Sequence, residues 1–332
     1  MRGLTTFLGA IAAVSIAMVT AASAQDARHY RFAHDQQLNS GYSVAYDIFS
    51  AKLKELSKGT MLVDQYPGAQ LGQEPQILQL VKSGDIEFAV VSSANTSTIS
   101  PQAGVMSLHF LFRNEDHIIK SLGDEKVFAA ISNMIDDTAP GIHAIGLATQ
   151  GFRYMYGKKE VHKVDDIRGY KVRVQATATE DTMFPAYGAQ TVHMPFGSVY
   201  TSLQTGVVDF AENGMNVYLI NRHYEVAPVL SKTEHEANNA IVWVSDKLWQ
   251  GLSAEQKQWV TAAAREVSVQ EPRRGFELEH AAAAKLEKMG VKIVIDVDKP
   301  GFQAIADPYL DKLAHDLGPH AEKIKNLIRT IN

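Results

Sequence analysis

The ordered part of the pattern begins at "HYRFAH", a short strand-like run. It is followed by "SVAYDIFSAKLKELSKG", where Ala45, Ile48, Phe49, Leu53 and Leu56 recur at helical spacing and Gly59 stands at the end. "TMLVDQY" and "IEFAVVS" then read as strands with the helical "QEPQILQLVKSG" between them, which predicts an α/β arrangement with largely parallel strands. Two segments echo one another. "LQLVKSGDIEFA", ending at Ala89, and "YTSLQTGVVDFA", ending at Ala211, each pass from helix through glycine to a short strand, as two lobes built alike would. Near the C-terminus Ser253 starts a helical pattern that runs to Gly290, with Gln256 placed to complete a capping box. Pro272 interrupts that pattern. An internal proline costs about 3 kcal/mol or more, so a kink or break is expected near Glu271. A helix this long exceeds the span of one small lobe and would bridge two.

One strand carries a charge at its centre. In "KVRVQ", Val172 and Val174 share one face while Lys171, Arg173 and Gln175 share the other. If Arg173 faces water it is an ordinary solvated residue. If it faces a cleft it is a fixed cation whose planar fork matches a carboxylate.

The first residues change the picture of where such a cleft would work. After Arg2 comes "LTTFLGAIAAVSIAMVTAASA", ending in the Ala22-Ser23-Ala24 pattern of a signal-peptidase site, so residues 1–24 are expected to be a cleaved secretory signal. With no cysteine there can be no disulfide, thiol nucleophile or N-terminal lipidation, and a soluble, unanchored exported chain points to a Gram-negative periplasm. The formal net charge is −5, and −6 once Arg2 is removed, which argues against nucleic acid or anionic membrane as a partner.

Catalytic motifs are missing. No G-x-G-x-x-G, Walker loop, H-E-x-x-H or G-x-S-x-G occurs, and Gly41-Tyr42-Ser43-Val44-Ala45 lacks the last glycine. The twelve histidines are scattered, and pairs such as His29/His34 and His315/His320 lack the spacing of a shared metal face. Neither an enzyme nor a metal or cofactor is expected; binding is the better class.

From Gly169 to Gly214 the residues carry K-V-R-V-Q, then G-A-Q and M-P-F, then S-V-Y-T-S-L-Q-T-G-V-V-D, then E-N. This combination resembles the DctP-type solute receptors of TRAP transporters, and "PGAQLGQE", "GFRYMY", "HYEVAPVLSKTEH" and the long C-terminal helix extend the likeness over nearly all of the mature chain. The resemblance implies two α/β lobes with a cleft between them, joined by crossing strands and a long helix. The implied boundaries are lobe I at 25–150 and 239–279, and lobe II at 151–238 and 280–332. It also implies a monomer that delivers a small organic acid to the small and large membrane subunits of an ion-driven permease. The carboxylate-clamping arginine falls on Arg173, a second arginine on Arg153, the supporting asparagine on Asn213, the aromatic on Phe196 and an N-terminal polar contact on Asp35. The chain departs from the pattern at Gly214 and Met215, and Ser92 stands where some sialic acid binders carry glutamate.

The residues themselves leave alternatives. Arg153 could instead form an interlobe ion pair, Asn213 a helix cap, and Phe196, following Pro195 on an apolar strand, part of the core. Glu74, Ser92, Asn95, Asn216, Tyr218 and His235 are further polar candidates near strand ends or helix starts. One strong clamp with hydrogen-bonding and acidic neighbours favours a hydroxylated monocarboxylate such as a uronic or aldonic acid. A C4-dicarboxylate, a 2-oxo acid or an aromatic acid are the alternatives, and a periplasmic hydrolase, sensor or scaffold the rival classes.

Overall fold

Short runs rich in β-branched and aromatic residues become strands wherever glycine or a helix cap bounds them. The structure is a computed structural model describing residues 27–332; the expected signal at 1–24 lies outside the described residues. β1 (Arg28–Ala33), β2 (Met61–Tyr66) and β3 (Phe88–Ser92) alternate with the helices Gly41–Leu56 and Glu74–Ser83. Beyond β4 (Ile142–Gly157), β5 (Lys171–Val174), β6 (Gln190–His193) and β7 (Phe210–Asn213) alternate with the helices Ala178–Ala186 and Val199–Thr205. β8 (Val229–Ser245) and the short β9 (Lys292–Val294) complete one sheet.

The strand order is β2-β1-β3-β8-β4-β7-β5-β6, with β9 on β8. It has an internal symmetry. β1 lies between β2 and β3, all parallel, and β5 lies between β6 and β7, all parallel. In each half the last of the three pairs antiparallel with a long strand, β3 with β8 and β7 with β4. The two echoing segments occupy equivalent places in these halves, and their glycines, Gly84 (φ +77°) and Gly206 (φ +75°), both end a helix in the left-handed conformation. The sequence-level echo is therefore an architectural repeat.

The C-terminal helix runs without a break from Ala254 to Lys288, about 52 Å at 1.5 Å per residue, capped by the expected Ser253/Gln256 box. The break expected at Pro272 does not occur. Glu271, Pro272 and Gly275 are all buried, and the Glu271 carboxylate accepts the Thr149 N–H of β4 at 2.8 Å, so packing outweighs the proline's local cost. The helix serves two cores. Val260, Ala263, Ala264 and Val267 pack with β1, β3 and the helix Gly41–Leu56, whereas Phe276, Ala282 and Leu286 belong to the larger cluster that takes in β5 and β7 and also the helices Glu74–Ser83 and Glu125–Thr138. The very end of the chain packs across the boundary expected at 280. Helix Pro319–Thr330 packs on Glu125–Thr138 and Pro101–Ser107, and His117 and Arg113 bond the carbonyls of Ile328 and Ile331, so this segment lies with elements expected in lobe I.

Glycine allows the long helix to seat. A Cβ on Gly275 would lie 2.9 Å from the Thr149 carbonyl, and one on Gly146 would lie 2.8 Å from that of Ala264. Gly275→Ala is accordingly expected to destabilise the chain by about 1–3 kcal/mol through forced displacement of helix from sheet. Urea unfolding measures it, and an unchanged midpoint would mean the close approach is dispensable.

Candidate functional site

In α/β sheets, ligand groups collect beyond the carboxyl ends of parallel strands. Here Asp35 follows β1, Ser92 ends β3, Gln175 follows β5, Phe196 follows β6 and Asn213 ends β7, so two sets of strand ends face one another. Between them lie two adjoining chambers, an outer one of about 210 Å3 and an inner one of about 10 Å3, both bordered by Asp35, Glu74, Asn95, Arg173 and Phe196. The outer one has room for a small organic group and the inner one for little more than a water. The two sides touch. Gln175 Nε2 donates to Ser92 Oγ at 2.8 Å, the Gly197 N–H donates to Gln73 Oε1 at 3.1 Å, and Asn216 Nδ2 donates to the Asn39 carbonyl at 3.0 Å.

Arg173 faces this cleft and is 3 % exposed. Its Nε and Nη2 both donate to the Met194 carbonyl, at 3.2 and 2.9 Å, which fixes the plane of the guanidinium. No carboxylate among the described residues bonds it. Burial, with the like charge of Arg153, pulls its proton affinity below the ordinary arginine value, the condition of a cation lacking a paired anion. The Phe196 ring stands 5.9 Å from its central carbon. Phe196 sits on a one-turn helix, Phe196–Ser198, half-buried at the chamber wall; the apolar strand expected there ends at His193.

Arg153 is different. It lies between two irregularities in the β4–β8 pairing, after Gly151 (φ +77°), and these bulges turn it into the interior. It donates through Nη2 to Glu212 Oε1 at 2.7 Å and to the Glu212 carbonyl at 3.0 Å, through Nε to Glu212 Oε2, and through Nη1 to Asn238 Oδ1 at 2.8 Å. Burial opposes its charge, but Glu212 and Glu236 more than compensate and raise its affinity for its proton. Arg153 borders the inner chamber with most of its donors already used.

Asn213 also borders the inner chamber, its Oδ1 accepting from Asn238 Nδ2 at 2.7 Å and from the Gly214 N–H at 2.9 Å. It does not cap the next helix. Glu279 of the long helix does so, accepting the N–H groups of Met215 and Asn216 at 2.7 Å each. Asp35 is buried, bonded by Gln36 Nε2 at 2.9 Å, and pushed well above the usual carboxylate range by burial and by Glu74. Glu74 is saturated. It accepts from Tyr42 OH (3.0 Å), the Ser92 N–H (2.9 Å), Ser92 Oγ and Asn95 Nδ2 (2.6 Å), so Ser92 and Asn95 are tied to it.

Three expected residues lie elsewhere. Tyr218 is in the core with its hydroxyl on the Ala227 carbonyl at 2.6 Å, Asn216 bridges to Asn39 outside the chambers, and His235 sits in a separate buried cluster. Gln36, Gln150, Gln175 and Asn238, by contrast, border the inner chamber and were not singled out from sequence. Gln175 had a signal, since it shares the strand face of Arg173. Gln36 Oε1 and Gln150 Oε1 are buried without a partner among the described residues.

A two-sided cleft at the strand ends, lined by a guanidinium without a carboxylate partner among the described residues and by carboxyls and amides, has the form of a solute receptor's site. Residues 32–316 match the family model described as bacterial extracellular solute-binding protein, family 7, and the chain belongs to that family. A solute-binding protein of Chromohalobacter salexigens is 30 % identical over 312 residues, covering 93 % of this chain and 90 % of that one. Two TRAP periplasmic solute-binding proteins of solved structure superpose with a TM-score of 0.84. One, from Xanthobacter autotrophicus with bound β-D-galacturonate, is 28 % identical over 91 % of this chain and 100 % of its own. The other, from Pseudomonas putida with bound D-glucuronate, is 27 % identical over 92 % and 98 %. The chain is a solute-binding protein of the TRAP type, and no helix of the described residues is long and apolar enough to cross a membrane.

Glu279, which caps the helix behind Asn213, gives the fold a pH signature. Burial pushes its carboxyl up to about 8 against the pull of two N–H donors, while the unfolded chain titrates it near the ordinary value of about 4.3. The folded state therefore holds the extra proton, and the stability this contributes is lost as pH rises through about 8. Urea midpoints at pH 5 and pH 8 should fall less for Glu279→Gln than for the parent chain; equal falls would exclude Glu279 as a source.

Proposed function

We propose that the chain is the periplasmic receptor of a TRAP transporter for a hydroxylated monocarboxylate, a uronate or aldonate, held by Arg173. The observation that carries this is the buried Arg173 guanidinium, oriented by Met194 and without an internal carboxylate, beside amides with unmatched acceptors. The cation calls for one carboxylate, and Gln36 Oε1 and Gln150 Oε1 call for hydroxyl donors. Glu74 repels a second carboxylate and Arg153 is already paired with Glu212, which disfavours a C4-dicarboxylate. The two neighbours crystallised with galacturonate and glucuronate support the same class.

In this reading Arg173, Asn213, Phe196, Asp35 and Asn95 meet the ligand, with Glu74 and Ser92 bracing them and Arg153 setting the floor of the inner chamber. The signal at 1–24 is cleaved, the mature monomer works in the periplasm without catalysis or cofactor, and the small and large membrane subunits receive its cargo. The two lobes, with the last helix joined to the first lobe, close over the acid through the Gln175–Ser92 and Gly197–Gln73 contacts. Small-angle scattering should show a smaller radius of gyration with ligand than without; identical values would indicate a rigid receptor.

A thermal-shift screen tests the ligand class. A ligand at ~100 times its dissociation constant adds about 2.7 kcal/mol, so glucuronate, galacturonate or galactonate should raise Tm while succinate, pyruvate and benzoate leave it unmoved. The reverse pattern would overturn the sugar-acid reading. Calorimetry with the best acid should show at least about tenfold weaker binding for Arg173→Lys, which keeps charge but loses the fork, and near abolition for Arg173→Ala. Unchanged affinity in Arg173→Ala would remove the site itself.

A further inference from the structure

Arg153 also borders a second buried cluster, none of whose other members lines the chambers. Glu212 pairs with it, Glu236 Oε2 lies 3.5 Å from its Nε, and Glu180 is near enough for its carboxyl and that of Glu236 to act on each other. His109 Nε2 is 3.3 Å from Glu180 Oε1, and His235 Nε2 is 4.0 Å from Glu212 Oε2. All of these groups are buried. One guanidinium offsets one of three carboxylates, and two further buried anions without a counter-charge would cost several kcal/mol each.

Two atoms in the cluster have no partner among the described residues, His235 Nε2 and Glu180 Oε2, on side chains only 2 % exposed each. The imidazoles are oriented from behind. His109 Nδ1 meets the Tyr187 hydroxyl at 3.0 Å and His235 Nδ1 meets Thr233 Oγ1 at 2.7 Å. A histidine whose Nδ1 is held by such a partner presents Nε2 as a ligand nitrogen. His109, His235 and Glu236 bring ligand atoms within 4.8 Å of one another.

We propose that His109, His235 and Glu236 form a buried site for one divalent cation of the zinc class, with Glu180 beside it on His109 and with Arg153 and Glu212 outside its coordination. Two imidazole nitrogens and a carboxylate oxygen are a zinc donor set, and at about 2.1 Å from the metal they stand roughly 3.4 Å apart, so the three close in from their present spread. A dication also cancels the two excess negative charges. The site joins the loop residue His109 to β8, with the helix Ala178–Ala186 beside it, so the ion fixes Glu236 and through it the floor guanidinium Arg153. Because the cluster is sealed, the cation enters while the chain folds. Nothing in this depends on the sugar-acid assignment.

The test is refolding. The mature chain is unfolded in guanidinium with a chelator, refolded at pH 7 with or without Zn2+, washed with chelator, and assayed for metal by mass spectrometry and for Tm. About one zinc per chain and a raised Tm are expected, with less than about a tenth of that zinc in Glu236→Gln and His235→Gln. Should one of these fail to refold, His109→Gln supplies the comparison. A parent chain that refolds without zinc to the same Tm and retains none would assign the two charges to protons and overturn the proposal, as would zinc retained equally by the variants.

Discussion

The antiparallel pairing of β4 with β8 is the constraint on which the rest depends. These strands, 16 and 17 residues long, are the longest in the sheet, and they run side by side through its middle while each half adds its own parallel trio. Because each trio meets a crossing strand of opposite direction, the carboxyl ends of both trios point into the same gap. The side chains of the cleft come from such ends, from the crossing strands, and, for Tyr42, Glu74 and Asn95, from helices of the first half. The bulges around Arg153 and the left-handed Gly151 turn a side chain of a central strand inward, at two register shifts in the ladder.

Two arginines twenty residues apart have opposite fates, and hydrogen bonding explains why. Arg153 is satisfied by Glu212 and Asn238 and behaves as a structural ion, whereas Arg173 has only a carbonyl to hold its plane. A guanidinium anchored at one edge and unpaired at the other is pre-oriented, so an incoming carboxylate loses little in ordering it. Glu74, saturated by Tyr42, Ser92 and Asn95, plays the same bracing part on the opposite wall.

Much of this was legible in the chain. Periodicity gave the strand–helix alternation, the echo around Ala89 and Ala211 gave the repeated half, and strand alternation put Arg173 and Gln175 on one face. The failures have physical causes. Pro272 breaks an isolated helix but not one held along its length by β4. Tyr218 and Asn216 look like site residues because they follow Asn213, yet one helical turn carries them past the chamber. His109 and His235 are separated by most of lobe II in sequence, so no local spacing rule could bring them together. The amides Gln36, Gln150 and Asn238 carry no motif; their importance lies only in what they face.

The docking of helix Pro319–Thr330 onto Pro101–Ser107 and Glu125–Thr138 has a consequence for how the chain folds. The first half is not sealed by its own early segments but by a helix far along the sequence, and its sheet needs β8 against β3. The contacts that complete it therefore span most of the polypeptide, a high contact order that slows the search for the native state. The early half thus stays partly uncovered until Pro319–Thr330 is in place. Intolerance of truncations that remove this helix follows from that dependence.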